Sequence, residues 1–459
     1  MGAGRNPQRV DSGRKPPLRN SPDELIRNAM TEPKIHPFRQ HARILTASLV
    51  GTSVEFYDFY IYATAAALVI GPLFFPAQSP AARTLLAFMT FGLAFVARPV
   101  GAIAFGHFGD RIGRKSTLVA SLMLMGGSTV AIAFLPTYAV AGPIAPALLC
   151  LMRFGQGFGL GGEWGGASLL AVENAPKGWE ARFGAAPQLG APVGFLFANG
   201  LFLALSLSLS PADFAAWGWR IPFLASAVLV GLGLWVRLKI GETAAFRAAM
   251  ESAPPPRVPV RTLFVDHTRA VVAGTAGVVT CFAIFYLATT FALSFATKSL
   301  GYKMQSFLEV QLVANFALAI GIVVAGYWSD RTSPARVLRA GAGLTVVVGL
   351  VFGSGLASGS VPIALLTLAA ALFVMGFAYG PLGAWLPTLF PTGVRYTGIS
   401  IAFNCGGILG GALAPFAASW LAQTGGVAYV GLFLTLAGGV TLLGVRFAPA
   451  LPVRSVPVR

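Results

Sequence analysis

The stretch GTSVEFYDFYIYATAAALVIG, Gly51–Gly71, decides how the chain is read. It is long and apolar enough to cross a bilayer, yet Glu55 and Asp58 lie near its middle. The 459 residues around it are 55% hydrophobic and only 11% charged, with a mean hydropathy of +0.71. Soluble domains carry about a quarter charged residues. Apolar runs of about 20 residues, the length that crosses ~30 Å of hydrocarbon, recur along the sequence. The 55 Gly and 31 Pro suit closely packed and broken membrane helices. Cys150, Cys281 and Cys405 all sit in apolar runs and read as buried thiols rather than a disulfide framework. By composition the chain is an integral membrane protein.

Twelve spans are expected, near 44–71, 84–107, 117–136, 143–172, 184–207, 220–239, 270–297, 306–328, 337–357, 361–389, 397–422 and 427–448. The net charge of +17 raises the question of nucleic acid, but its distribution answers it. Of the 33 Lys and Arg, nine lie in the N-terminal tail and eighteen in the even-numbered connections and the C-terminal tail. Positive charge stays in the cytoplasm, so both termini are expected there and the basicity is a topology signal. Residues 1–43 are polar and rich in Arg, Pro and Asn, too long in their charged part for a signal peptide. They read as a disordered basic tail with a short helix at Ser21–Met30.

Sliding the chain by about half its length exposes an internal repeat. GHFGDRIGRK, Gly106–Lys115, follows span two, and GYWSDRTSPAR, Gly326–Arg336, follows span eight. GFGLGGEWGG in span four is matched by GFAYGPLGAW in span ten, and Pro176…Arg182 by Pro391…Arg395. The expected fold is therefore all-α: a bundle over 44–239, a cytoplasmic linker over 240–269 with the run Pro254–Pro256, a second bundle over 270–448, and a tail over 449–459. Two six-helix halves with a site at the midplane are a common plan for secondary transporters.

At GHFGDRIGRK the sequence resembles the signature loop of the major facilitator superfamily. GTSVEFYDFYIYATAAALV, ARPVGAIAFGHFGDRIGRK, RFGQGFGLGGEWGGASLLAVENAP, WGWRIPF and LFPTGVRYTG resemble the metabolite:proton symporters within it, of the shikimate-permease type. The resemblance covers about 44–448 and implies a twelve-helix carrier that couples uptake of an organic solute to protons. In the loop itself, Gly106 and Gly113 suit a tight turn, Asp110 supplies an acid, and Arg111, Arg114 and Lys115 cluster cations at the headgroups. The resemblance implies that Asp110 meets the positively polarised N-terminus of span eleven, near Tyr396–Gly398. Arg114 is expected to pair with Glu173, forming a latch with Arg182 and Arg395; the alternative is ordinary topology-setting charge. Asp330 and Arg331 repeat the pair without the Gly-Arg-Lys ending, which leaves a second latch in doubt.

Five charges fall well inside spans, away from their ends: Glu55, Asp58, Arg98, Arg153 and Glu163. Each costs about 2.5–3.5 kcal/mol at a helix centre unless it has a partner or a wet cavity. Helix rise puts Glu55 about 17 Å, Arg98 and Glu163 about 14 Å, Asp58 about 21 Å and Arg153 about 28 Å from the cytoplasmic ends. Asp58 is thus the acid nearest Arg153, while ten residues put Arg153 and Glu163 on different faces. Asp58, Glu55 or Glu163 is expected to carry a proton, with Asp58 or Glu55 preferred. Arg153, with Arg98, either holds a substrate carboxylate or pairs with the empty carrier. The competing reading is a permanent ion-pair network ordering spans one, two and four.

Gln188 and Asn199, eleven apart, are expected on nearly one face, and Gln311 and Asn315 on another. Tyr286, Tyr379, Trp385 and Asn404 add polar and aromatic groups to the candidate site, although each is also ordinary interhelical glue. Trp164 reads as packing. All four His (His36, His41, His107, His267) lie outside the spans, and no nucleotide-binding Gly-rich loop is present. No metal, cofactor or ATP is expected, and an enzyme is disfavoured. The expectation is a monomeric inner-membrane symporter whose partners are protons, lipid and a small organic acid such as shikimate or a dicarboxylate; the alternative is proton-coupled efflux.

Overall fold

Apolar runs of this length satisfy their backbone hydrogen bonds in lipid by forming helices. The computed structural model describes Gly2 and residues 37–112, 114–161, 163–239, 260–391 and 394–449, with backbone alone at 43, 106–112, 114–118, 236–239 and 260–262. The expected tail helix and most of the linker lie outside these residues. Residues 1–42 form a unit of their own, in which Pro37–Gln40 makes one helical turn. The remainder, Arg43–Arg459, is a second unit.

Among the described residues of that unit, eleven helices are long and apolar enough to cross a membrane, and the shorter apolar helix Val119–Ile132 makes a twelfth. They are α1 (Ile44–Phe74), α2 (Pro80–Ile112), α3 (Arg114–Ile132), α4 (Ile144–Glu173), α5 (Glu180–Ser208), α6 (Gly218–Trp235), α7 (Thr268–Lys298), α8 (Met304–Arg331), α9 (Pro334–Leu356), α10 (Val361–Leu389), α11 (Arg395–Thr424) and α12 (Val427–Arg446). The face bearing the connections after α2, α4, α8 and α10 is called the basic face below. The signature segment is mostly helical: α2 runs through Gly106 and Asp110 to Ile112, and α3 is helical from Arg114, while Gly113 lies outside the described residues. Gly106 is therefore not a turn residue, because nothing before Gly113 breaks the helical hydrogen bonding. The α8 copy likewise ends on its Asp-Arg pair.

The repeat is visible as matched close approaches. A Cβ on Gly101 would lie 1.9 Å from the Phe158 carbonyl oxygen, and one on Gly157 1.9 Å from that of Ala94. Their counterparts 220 and 219 residues on, Gly321 and Gly376, would meet the carbonyls of Phe373 and Leu318, each at 2.2 Å. Helices α2 and α4, and α8 and α10, thus touch backbone to backbone, as small residues allow in membranes. The π-helical turns Ala66–Ile70 in α1 and Leu287–Phe291 in α7 match at the same spacing. Proline explains two breaks, since Pro72 and Pro415 lack the N–H that Leu68 and Gly411 would bond four residues earlier; Ala66–Ile70 and Ile408–Ala412 are π-helical there. Helix α4 pauses between Leu160 and Glu163, at its glycine run.

Candidate functional site

The charged residues of α1 and α4 meet inside the first half. Asp58 is 1% exposed. The Ser226 hydroxyl of α6 donates to its Oδ1 at 2.5 Å, whereas Oδ2 finds no hydrogen-bond partner in the protein. Gln156 Nε2 donates to the Asp58 main-chain oxygen and to Thr129 Oγ1, both at 2.9 Å. Thr129, though beside the carboxyl, turns its own hydroxyl to the Met125 carbonyl at 2.9 Å. All these partners belong to α3, α4 and α6, so Asp58 faces the interior of its own half rather than the seam between halves.

Arg153 is fully buried and forms no ion pair with Asp58. It donates through Nη1 to Gln156 Oε1, through Nη2 to the Phe91 carbonyl at 3.1 Å, and more weakly through Nε to that of Thr90. Its guanidinium lies 3.7 Å from the Tyr62 ring centroid, and Tyr62 in turn bonds Thr90 at 2.7 Å. Arg153 and Asp58 are thus joined through Gln156. Toward the basic face, Ser121 donates to Glu163 Oε1 at 2.8 Å.

Arg98 is the cation nearer the seam. Its guanidinium lies 4.3 Å from the Phe59 centroid and 4.6 Å from that of Phe95, its Nε has no hydrogen-bond partner, and Glu55, Tyr60, Tyr286 and Tyr379 are within its electrostatic reach. Three of those tyrosines line a closed space of about 10 Å³ between the halves, together with Phe56, Phe282 and Phe285. Room for about one water means the midplane chamber is collapsed. Tyr60 stacks on Phe285 at 4.9 Å, and Phe91 meets Tyr286 edge-on at 5.0 Å.

The seam is closed toward both faces. On the basic side Trp164 donates to the Tyr379 hydroxyl at 3.0 Å and stacks on Phe403 with centroids 3.6 Å apart. Asn404 donates to the Gly161 carbonyl at 2.8 Å. Asp330, at the end of α8, accepts the N–H of Ala181 at 2.7 Å and of Arg182 at 3.2 Å, and the Arg182 Nε at 2.5 Å. Two of these are free donors at the positive N-terminus of α5. Asp330 thus reaches across the seam to Arg182, while Arg331 beside it is exposed. A cavity of about 450 Å³ opens beside it, lined by Glu180, Asp330, Ser333, Thr388 and Arg395. Toward the opposite face, Lys298 donates to Thr84 at 3.1 Å and Gln305 to the Ser206 carbonyl at 2.9 Å.

The other sequence candidates divide. Gln188 and Asn199 meet different neighbours, and α5 is interrupted between them at Leu189, where Pro192 cannot bond the Gln188 carbonyl. Asn199 accepts from Thr64 of α1 at 2.6 Å, whereas both amide atoms of buried Gln188 lack partners and its Nε2 lies next to Gly383 of α10. Asn315 donates across the seam to the Pro192 carbonyl at 2.9 Å. Gln311 instead donates to the carbonyls of Ala288 and Thr289 in the π-turn of α7. Trp385 packs onto Gly277 of α7, the absent side chain making room for its ring. Arg395 Nε reaches the Phe390 carbonyl at 3.3 Å, and Glu173 is exposed at the end of α4. The side chains of Gly106, Asp110, Arg111, Gly113, Arg114 and Lys115 lie outside the described residues. Sequence reasoning missed Gln156, Ser226 and the Trp164–Phe403 stack. Gln156 was within reach, one helical turn from Arg153; Ser226 carried no signal.

A twelve-helix bundle in two repeated halves, with a collapsed chamber between them, has the architecture of a membrane transporter. Residues 44–253 match the family described as "Sugar (and other) transporter". The chain is 46% identical over 417 residues to the inner membrane metabolite transport protein YhjE of Escherichia coli K12, covering 90% of this chain and 95% of that one. It is 36% identical over 382 residues to the shikimate transporter of the same organism, covering 83% and 87%. Among solved structures, the proton:xylose symporter XylE bound to 6-bromo-6-deoxy-D-glucose superposes with a TM-score of 0.70 at 17% identity, over 90% of this chain and 97% of that chain; this shows the fold. The chain belongs to the major facilitator superfamily, among its metabolite transporters, and is a multi-pass membrane protein that carries small molecules rather than an enzyme.

Proposed function

We propose that this protein takes up a small organic acid together with a proton, by alternating access, with both termini in the cytoplasm. The observation that carries the proposal is the Asp58 carboxyl: buried, holding one hydroxyl donor, with its second oxygen unpartnered and no ion pair. A proton completes that arrangement, and charge without a partner is costly at such a site. Opening either face lets water or Arg153 compete for the carboxylate and release the proton. Arg98, beside the tyrosine-lined chamber with Nε free, is the receptor for a substrate carboxylate, and the aromatic walls favour a cyclic acid. The relative named a shikimate transporter supports that class of substrate. Glu55 and Glu163 are the second acids of the site, and one molecule carries the whole cycle.

The test is uptake into proteoliposomes under an imposed ΔpH, screened over labelled organic acids that include shikimate and dicarboxylates. An active acid should accumulate with an alkaline lumen and stop when an uncoupler is added. Asp58→Asn should lose accumulation and keep exchange of solute for solute. Accumulation by Asp58→Asn, Glu55→Gln and Glu163→Gln alike would refute the proton assignment.

A further inference from the structure

Gln156 is a fully buried side chain that no expectation for this fold had placed in the site. Both of its polar atoms are engaged: Oε1 accepts from Arg153, and Nε2 donates to the Asp58 carbonyl and to Thr129. We propose that Gln156 is a positioning residue for the proton site, holding the Arg153 guanidinium off Asp58 while Asp58 is neutral and yielding it when Asp58 becomes charged. The inference rests on Asp58 as proton carrier.

The geometry supports the role from both ends. Arg153 is a buried cation whose hydrogen bonds go to neutral acceptors: the Gln156 amide and the carbonyls of Phe91 and Thr90. A buried cation so placed gains strongly from an anion, because neutral dipoles only partly replace its water. Asp58 is held to the same amide through its main-chain oxygen, so one neutral side chain bridges the residue that carries the carboxyl and the one that carries the guanidinium. When Asp58 gives its proton to water entering from the open face, the carboxylate outcompetes the amide oxygen for Arg153, and the amide turns away. Rebinding of a proton restores the present arrangement. Among charged or titratable groups, Tyr57 on α1 and Glu163 on α4 act on Asp58, Glu55 and Tyr62 flank it by one turn of α1, and Arg98 on α2 acts on Arg153. Helix α6 offers it the Ser226 hydroxyl, while the Thr129 hydroxyl of α3 lies beside it and bonds Met125.

The experiment reads the proton directly and needs no transported substrate. Protein reconstituted in lipid is followed by infrared difference spectroscopy over pH, and the carboxylic C=O band lost in Asp58→Asn reports the Asp58 proton. In Gln156→Leu the pH at which that band is half lost should fall by about one unit or more, the effect of an arginine freed to approach a carboxyl. Gln156→Glu, which gives Arg153 a carboxylate of its own, should leave the midpoint at or above the parent value. The near-isosteric Gln156→Met serves where Gln156→Leu does not fold. A midpoint unchanged in the folded Leu or Met variant, even with a lowered melting temperature, overturns the role of Gln156 and reduces it to packing. A wild-type spectrum without any titrating Asp58 band would instead remove the proton assignment on which it rests.

Discussion

Replacing Asp330 by alanine should open the basic face. Asp330 is 3% exposed and takes three donors from the first half: two main-chain N–H groups at the start of α5 and the Arg182 guanidinium. These contacts cross the seam, so they exist only while that face is closed. On opening, water replaces them, which leaves a net value of about 1 kcal/mol each rather than the larger cost of a buried orphan. Their sum, about 3 kcal/mol, corresponds to a population change on the order of 100-fold at 1.4 kcal/mol per decade. Cys281 reports it, being 1% exposed and part of the wall of the collapsed chamber. In a Cys150→Ser/Cys405→Ser background, a membrane-impermeant maleimide applied on the basic side should label Cys281 on the order of 100 times faster in Asp330→Ala. Arg182→Gln removes one donor of the three and should give about a fivefold increase, on the same conversion. A labelling rate in Asp330→Ala equal to that of the parent would refute the latch, whatever the variant's thermal stability.

Two further outcomes follow from the same contacts. Gln311→Leu leaves the Ala288 and Thr289 carbonyls of the α7 π-turn without their donor, and thermal unfolding in detergent should show a loss of about 1–3 kcal/mol. Trp164→Phe keeps a ring over Phe403 and loses the bond to Tyr379, a change of about 1 kcal/mol; Trp164→Leu loses the aromatic pair as well, about 0.5–1.5 kcal/mol more. Cys281 labelling should therefore rise in the order parent, Trp164→Phe, Trp164→Leu.

Much of the architecture was legible in the residues. The twelve spans, the two-fold repeat and the close packing of the α4 glycines are short-range properties, read from apolar length and from Gly spacing. Site assignments were less legible where a helix departs from its straight form. Gln188 and Asn199 were expected together because eleven residues make three turns, yet Asn199 is taken by Thr64 of α1 while the Gln188 amide lies next to Gly383 of α10, neighbours that no local pattern announces. Gln311 looked like a ligand of the chamber and serves instead the irregular backbone of α7, a need visible only once the π-turn is known. Trp385 fills the gap left by Gly277, a pairing across 108 residues of sequence with no local sign.

By itself, the sequence determined that the chain lives in a membrane, how often it crosses, that it is doubled, and that acids and arginines of α1, α2 and α4 sit inside the hydrocarbon. Those properties follow from hydrophobic length and from the cost of buried charge, which act on each segment separately. Only the tertiary structure decided that Asp58 turns inward to Ser226 while Arg98 stands at the tyrosine-lined seam, that an amide separates Asp58 from Arg153, and that Asp330 holds the start of α5. The rotation of a helix about its axis is set by what its neighbours can pack against and hydrogen-bond, and that information belongs to the assembled bundle.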